Sequence, residues 1–215
     1  MSELDFEILH KNVYYFPNAI TNVSSIMEKV ETFESNSVSA WDVWYANSEE
    51  KIHPYGQLKE LTPELIADEP LSSTVETAEY IINGLLGPME SCCSIYMKEH
   101  GATEADIDEL HKNMFDVGAT YGIRRYDSGG EMGPHPDRTE DGRDTYTISV
   151  YLDDEHVGGE LGIQVPGAAD KIVVKPKAGS IVVFPSGYLH ESMRLLDGRK
   201  TIITHVHTLN RNILD

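Results

Sequence analysis

The sequence predicts an α+β fold that is mainly β: a double-stranded β-helix, or jelly roll, with amino-terminal helices packed on one sheet. Two observations carry this prediction. From about residue 119 onward, short apolar runs alternate with turn residues at regular intervals, a pattern typical of an all-β barrel or sandwich. Before that point, apolar residues recur mainly at helical spacing. Amphipathic helices need an apolar face to cover, and one sheet of the jelly roll would supply it.

The amino-terminal part, residues 1–118, is predicted to be a mostly helical support region. A short strand is expected over residues 6–16, followed by a helix whose apolar positions repeat at helical spacing from Val23 onward. A second helix is expected over 75–97. The segment Thr103-Glu-Ala-Asp106 resembles a capping box and predicts the start of a third helix.

The remaining part, residues 119–208, is predicted to form the jelly-roll core. Pairs such as Gly129-Gly130 and Gly158-Gly159 supply the turns between its strands. With 215 residues, of which 40% are hydrophobic, the chain can build one sizeable core. We therefore expect one domain over residues 1–215. The strands are predicted at 119–126, 145–152, 160–165, 171–175, 180–184 and 200–208.

The charge balance limits the expected partners. The 36 acidic residues outnumber the 17 basic ones and give a net charge of −19. Such a field repels phosphate backbones and anionic lipid surfaces, so neither nucleic acid nor a membrane is an expected partner. No apolar run is long enough to span a bilayer, and the acidic start does not resemble a secretory signal. The oligomeric state is left open.

Cysteine usage favours a cytoplasmic location. Cys92 and Cys93 are the only cysteines, and two adjacent cysteines cannot readily bridge each other. The sequence thus predicts neither a disulfide framework nor a cysteine metal site. That absence suits a reducing compartment.

His135-Pro136-Asp137 and the distant His190 form the constellation that indicates a chemistry. On an extended strand, residues i and i+2 project from the same face, so His135 and Asp137 can reach one ion. In a chain with nine histidines an HxD pattern alone has roughly even odds of arising by chance. His190, however, follows the apolar run 180–185, which is typical of a buried strand. Two imidazoles and one carboxylate suit a non-haem Fe(II) site with open positions.

Strand alternation adds a place for an anion. One face of the strand at 145–152 carries Thr147, Ser149 and Tyr151, which would face either solvent or a polar pocket. On the last strand Lys200 shares a face with mainly uncharged residues, and a buried lysine needs an anion. A bound carboxylate is therefore a candidate partner. His205-x-His207 offers a second possible chelating pair, but alternation puts it on the opposite face from Lys200.

These residues together resemble a known family. Over residues 119–208 the chain is similar to the catalytic domain of prolyl 4-hydroxylase-type Fe(II)/2-oxoglutarate oxygenases. The order, the spacings and the intervening strand pattern match together. The matching positions are His135-x-Asp137, His190, Tyr126, Tyr151-Leu152, Gly158-Gly159-Glu160-Leu161, Lys175-Pro176-x-x-Gly179 and Gly198-x-Lys200.

The resemblance implies a role for each matching residue. It makes His135, Asp137 and His190 the catalytic iron ligands, and it pairs Lys200 with the far carboxylate of 2-oxoglutarate. It further implies that Tyr151 donates a hydrogen bond to the same carboxylate. Thr204 would assist there through a water, and Tyr126 would contact cosubstrate or substrate. Arg124 and the loop residue Arg143 are candidate substrate contacts, with a solvated arginine as the alternative for Arg143.

The implied reaction is hydroxylation of an unactivated C–H bond by an Fe(II)- and 2-oxoglutarate-dependent dioxygenase. A prolyl residue in a peptide or protein is the first expected substrate, and a free amino acid or small metabolite is the second. Whether a reductant such as ascorbate is also bound is left open. The hypothesis from another class is a non-oxidative, cupin-like isomerase or ligand-binding module, which would leave Lys200 without a purpose.

Overall fold

The computed structural model describes residues 4–36, 42–43, 58–61, 72–115, 122–137 and 145–208. Its helices are α1 (Val23–Asn36), α2 (Ser72–Glu99) and α3 (Glu104–Phe115). Its strands are β1 (Glu7–His10), β2 (Val13–Phe16), β3 (Asp42–Val43), β4 (Leu58–Leu61), β5 (Gly122–Asp127), β6 (Met132–His135), β7 (Thr145–Tyr151), β8 (Val157–Gly158), β9 (Leu161–Gln164), β10 (Ile172–Val174), β11 (Ile181–Pro185), β12 (Leu189–Ser192), β13 (Leu195–Asp197) and β14 (Arg199–Thr208).

Two antiparallel sheets face each other. The larger one has eight strands in the order β1-β2-β11-β7-β14-β5-β4-β3, and the smaller one has four in the order β10-β9-β12-β6. Strands β8 and β13 form a separate two-stranded ribbon. This non-sequential strand order, in two layers with helices added, is the predicted jelly roll, so the predicted fold class is confirmed.

The central strands of the larger sheet are buried on both faces, and β11 illustrates why. Its side chains alternate, so Ile181 and Val183 join the core under the helices, while Val182 and Phe184 join the core between the two sheets. All four are fully buried. A strand with two apolar faces reads as a continuous apolar run, which is how this segment appears in the sequence.

The helices cover the outer face of the larger sheet. Ile26 of α1 and Met89 and Tyr96 of α2 lie in one apolar cluster with Ile148 and Ile203 of the sheet. Burying an aliphatic or aromatic side chain of this size contributes about 1.5–3 kcal/mol. The amino-terminal support region therefore packs against the sheet as predicted. Over the described residues, every helix is too short or too polar to span a bilayer.

Local signals set several element boundaries. Thr103 and Asp106 form the predicted capping box: the Thr103 N–H donates to Asp106 Oδ2 at 2.5 Å, and the Asp106 N–H lies 3.4 Å from Thr103 Oγ1. The single strand expected over 6–16 is instead a hairpin of β1 and β2. Asn12 lies in its turn with a φ of 65°, a left-handed conformation that asparagine tolerates.

The metal-site region contains strands that the sequence pattern did not predict. These are β6 and β12, which pair with each other, and the ribbon strands β8 and β13. Each is only two to four residues long, so the alternation that identifies a strand has no room to show.

Candidate active site

The cross-strand pair His135 and His190 forms the centre of the site. The two residues are direct partners between β6 and β12, and their ring centroids lie 4.5 Å apart. Asp137 follows β6, and its backbone N–H donates to the carbonyl of Ser186 at 2.9 Å, which anchors the chain beyond the strand. The Nε2 atoms of His135 and His190 lie 3.8 and 3.4 Å from the Asp137 carboxylate oxygens. The three side chains offer donor atoms within 4.8 Å of one another and could hold one metal ion.

Each histidine is oriented by the backbone. His135 Nδ1 lies 2.8 Å from the carbonyl oxygen of Gly133, and His190 Nδ1 lies 3.0 Å from that of Tyr188. A carbonyl can only accept, so each Nδ1 carries the proton and donates. This fixes the tautomer in which Nε2 has its lone pair free and directed at the shared centre.

Burial favours the neutral form of His190. Burial lowers its pKa below the ordinary value, and the neighbouring Asp137 carboxylate and the hydrogen bond to Tyr188 oppose that shift. His135 adds a further lowering. A neutral imidazole is the form that binds a metal, so burial of His190 favours ligation.

The Asp137 carboxylate accepts a hydrogen bond from one buried hydroxyl, which is itself bonded to a second. Thr147 Oγ1 donates to Asp137 Oδ2 at 2.5 Å, and the hydroxyls of Thr147 and Ser186 are hydrogen-bonded to each other at 2.9 Å. Thr147 and Ser186 are completely buried. The polar stripe of β7 thus faces the interior between the sheets, and the pocket alternative for Thr147, Ser149 and Tyr151 is the correct one.

Lys200 lies deep in the same interior with its side chain only 1% exposed. Its ammonium donates to the carbonyl of Gly159 at 2.7 Å and to Ser192 Oγ at 2.5 Å, and it lies 4.7 Å from the centre of the Tyr126 ring. None of these contacts is with a carboxylate. Burial lowers the pKa of Lys200 to about 7, against the attraction of the more distant Asp153 and Glu160.

A single cavity of about 380 Å³ joins the lysine to the three metal-type ligands. Its lining includes eight of the residues singled out from the sequence: His135, Asp137, His190, Lys200, Tyr151, Tyr126, Thr204 and Arg124. Burial raises the pKa of Tyr151, so this residue remains a phenol that can donate a hydrogen bond. Arg143 and the side chains of His205 and His207 lie outside the described residues.

Sequence reasoning missed Ser186 and Ser192, and it placed Thr147 on a polar strand face without finding its partner. Ser192 bonds to Lys200, Thr147 bonds to Asp137, and Ser186 bonds to Thr147. A signal existed for Ser192, because it lies two residues after His190 on β12 and therefore shares its face. The pairing of Thr147 with Asp137 depends on how β7 packs beside the end of β6, and no local pattern reveals that.

The donor set fits Fe(II) and a dicarboxylate. Two imidazoles and one carboxylate match the ligand preference of non-haem iron enzymes. At the other end of the cavity, a buried ammonium without a carboxylate contact and a buried phenol match the charge and the acceptor atoms of a carboxylate. Both ends open into one cavity large enough for a small ligand.

Comparison with known proteins agrees with this geometry. Residues 121–207 match the family model of the 2OG-Fe(II) oxygenase superfamily. Over this part the chain is similar to that superfamily, which supports Fe(II) and 2-oxoglutarate as its cofactors. The cluster of His135, Asp137 and His190 could bind the metal.

The chain is similar to proteins from several sources. A PKHD-type hydroxylase of Prochlorococcus marinus (strain AS9601) is 27% identical over 190 residues, covering 86% of this chain and 75% of that protein. A prolyl hydroxylase from Trichoplax adhaerens, solved with a peptide fragment of the hypoxia inducible factor oxygen degradation domain, has a TM-score of 0.58 at 14% identity and covers 93% of this chain and 84% of its own. An alpha ketoglutarate dependent epimerase from nogalamycin biosynthesis has a TM-score of 0.55 at 10% identity, with 91% and 77% covered.

Proposed function

We propose that this protein is an Fe(II)- and 2-oxoglutarate-dependent oxygenase that hydroxylates an unactivated C–H bond of a prolyl residue in a peptide or protein. The observation that carries the proposal is a gradient of exposure along the cavity. Lys200 at the inner end is 1% exposed, whereas His135 at the outer end is 34% exposed. A segment of a large substrate can therefore reach the metal end from the surface without entering the space between the sheets.

The residue roles follow from the same gradient. We assign His135, Asp137 and His190 as the Fe(II) ligands, and Lys200 and Tyr151 as the partners of the far carboxylate of 2-oxoglutarate. Tyr126 and Thr204 complete the wall beside that carboxylate. Arg124, which lies on β5 and lines the cavity, is assigned to the substrate side, and Arg143 remains a proposed substrate contact.

Together, bound Fe(II) and 2-oxoglutarate supply the oxidising chemistry, in which dioxygen and 2-oxoglutarate yield succinate, carbon dioxide and one hydroxyl group on the substrate. The chain itself contributes orientation, charge neutralisation and exclusion of water. Lys200 neutralises the carboxylate in a place where solvent cannot. The fixed Nδ1 protons of His135 and His190 keep their Nε2 atoms aimed at one point.

The relatives support the substrate class only by analogy. One structural neighbour is a prolyl hydroxylase solved with a peptide, and the curated relative is a PKHD-type hydroxylase. The epimerase neighbour supports the second candidate, a free amino acid or small metabolite, because its likeness in fold is nearly as high. A cupin-like isomerase or ligand-binding module is the candidate of another class.

A substrate screen separates these candidates. The protein is incubated with Fe(II), 2-oxoglutarate, air and either proline-containing peptides or free amino acids, and succinate and product mass are measured. We expect succinate formation that depends on a peptide, and a gain of one oxygen atom at proline. Turnover with free amino acids alone would replace the peptide proposal by the second candidate. Binding of the metal without succinate formation under any condition would favour the non-oxidative module. His190→Ala is the control variant.

We further propose that residues 1–215 form one domain located in the cytoplasm. Support for the single domain comes from the cluster in which α1 and α2 share their core with the larger sheet. Support for the location comes from Cys92 and Cys93, which are free thiols and fully buried. A single cooperative unfolding transition is expected for one domain.

A further inference from the structure

Ser192 lines the cavity and has apolar neighbours on both adjacent strands. Its partners across β6 and β9 are Met132 and Leu161, both nearly buried, and its hydroxyl lies 2.5 Å from Lys200 Nζ. We propose that Ser192 is a cosubstrate-binding residue whose hydroxyl donates a hydrogen bond to the far carboxylate of 2-oxoglutarate. The inference rests on the role proposed for Lys200.

The hydrogen-bonding capacity of the Ser192 hydroxyl supports this assignment. An ammonium group can only donate, so Ser192 must accept in its bond with Lys200, and its own O–H proton remains available. Ser192 makes no other hydrogen bond with the described residues, and it lines the cavity. The hydroxyl can therefore direct this proton toward the space that the ligand would fill.

Lys200 alone offers too few hydrogen-bond donors for the far carboxylate of 2-oxoglutarate. Of its three N–H groups, one is committed to the carbonyl of Gly159 and one to Ser192, which leaves a single N–H for a ligand. A carboxylate has two oxygens that both need donors when buried. Tyr151 supplies a second donor, and Ser192 supplies a third from the strand that also carries His190.

The position of Ser192 connects the two ends of the cavity. It lies two residues from His190 on β12 in the smaller sheet, and it contacts Lys200 on β14 in the larger sheet. A donor at this point holds the carboxylate from the side opposite Tyr151, which lies on β7 of the larger sheet. The far carboxylate would thus accept hydrogen bonds from residues of both sheets.

Binding measurements without turnover test the proposal. Mn(II) replaces iron, and the dissociation constants of 2-oxoglutarate and of 2-oxopentanoate, which has a methyl group in place of the far carboxylate, are measured by calorimetry. Ser192→Val should weaken 2-oxoglutarate binding by about tenfold or more, the effect typical of losing a hydrogen bond to a charged group. Ser192→Thr, which has the same shape as valine but keeps the hydroxyl, should bind nearly as wild type. Neither variant should change the affinity for 2-oxopentanoate.

Testing Ser192→Val in a Lys200→Met variant separates direct binding by Ser192 from an effect transmitted through Lys200. In Lys200→Met protein, Ser192→Val should weaken 2-oxoglutarate binding further, measured by ligand-observed NMR at high ligand concentration. No further loss there would overturn the proposal and reduce Ser192 to a positioning residue for Lys200, as would equal affinities of the Val and Thr variants. If Lys200→Met itself leaves 2-oxoglutarate affinity unchanged, the proposed cosubstrate assignment fails instead.

Discussion

The hydroxyl of Thr147 donates to Oδ2 of Asp137 at 2.5 Å, and it does so from a side chain that is completely buried. Thr147 lies in the middle of β7 in the larger sheet, whereas Asp137 follows β6 of the smaller sheet. The carboxylate is therefore positioned by a residue of the opposite layer. This bond restricts rotation of the carboxylate and reduces its cost of burial.

Removing that hydroxyl should weaken metal binding. Thr147→Val keeps the shape of the side chain but leaves Asp137 Oδ2 without its donor, and we expect metal affinity to fall by roughly 10- to 100-fold. Titration with Mn(II), followed by electron paramagnetic resonance, measures the change. Thr147→Ser should retain most of the affinity, and a Val variant that binds Mn(II) as tightly as the Ser variant would contradict the prediction.

Loss of the buried ammonium should separate cosubstrate binding from metal binding. Lys200→Ala is expected to lower 2-oxoglutarate affinity by at least about 100-fold, because the carboxylate then lacks its counter-charge in a buried place. Mn(II) affinity should stay within about twofold, since Lys200 makes no contact with the three proposed ligands. Arg199→Ala is the neighbouring control. Because Arg199 is exposed, this variant should bind 2-oxoglutarate as tightly as the wild type.

Cosubstrate affinity should depend on pH through the same lysine. Burial lowers the pKa of Lys200 to about 7, so in the free protein its ammonium loses its proton as the pH rises through that value. The carboxylate binds the ammonium form, and 2-oxoglutarate affinity should therefore fall above about pH 7, by up to about tenfold per pH unit. Calorimetry at about pH 6 and about pH 9 measures the fall. A flat profile, or one that persists in Lys200→Met, would contradict this origin.

The same titration should appear in the stability of the cosubstrate-free protein. Lys200 has an ordinary pKa of 10.5 when unfolded and about 7 when folded, so between these values the unfolded chain binds more protons. Its contribution to the free energy of unfolding should rise with pH across that window and be smallest below pH 7. Urea denaturation of wild type and Lys200→Met at several pH values isolates the difference, which should narrow as the pH increases.

Gly159 should be intolerant of a side chain, and the chain offers a matched control. An added Cβ at Gly159 would lie 3.0 Å from Leu195 Cδ1 and 3.1 Å from Lys200 Cδ, whereas one at Gly167 would meet nothing within 4 Å. Both glycines have positive φ, 73° and 80°, so both alanine variants carry a backbone cost of about 1 kcal/mol. Only Gly159→Ala should also weaken 2-oxoglutarate binding. Equal binding by the two variants would show that the lysine tolerates displacement.

Sequence periodicity predicted the layers of the fold better than the short strands around the site. The alternation along β11 and the helical spacing from Val23 extend over enough residues to identify a buried strand and a covering helix. Strand β12 has only four residues, Leu189–Ser192, and is defined by its pairing with β6 and β9 rather than by its own pattern. Pairing partners are distant in the chain, so local reasoning could not find it.

Individual side chains show the same limit. The residues with charge or metal-binding chemistry, such as His190 and Lys200, could be selected from residue type and spacing, and they do line one cavity. Thr147 could be placed on a polar strand face, but its bond to Asp137 and the role of Ser192 could not be found in this way, because serine and threonine are common and take on a role only through what lies opposite. Their partners, Asp137 and Lys200, belong to the other sheet in each case.

The cross-strand pair of His135 and His190 places the proposed iron ligands at the smaller sheet, while Lys200 and Tyr151 extend from the larger one. The spacing between the two sheets should therefore determine the length of the diacid that fits between these groups. That spacing is set by the apolar contacts of residues such as Phe184, Ile163 and Leu195, none of which needs to touch the ligand. We therefore expect selectivity between 2-oxoglutarate and a shorter oxo-diacid to depend on how the two layers pack, and core substitutions that leave the cavity wall intact should alter it.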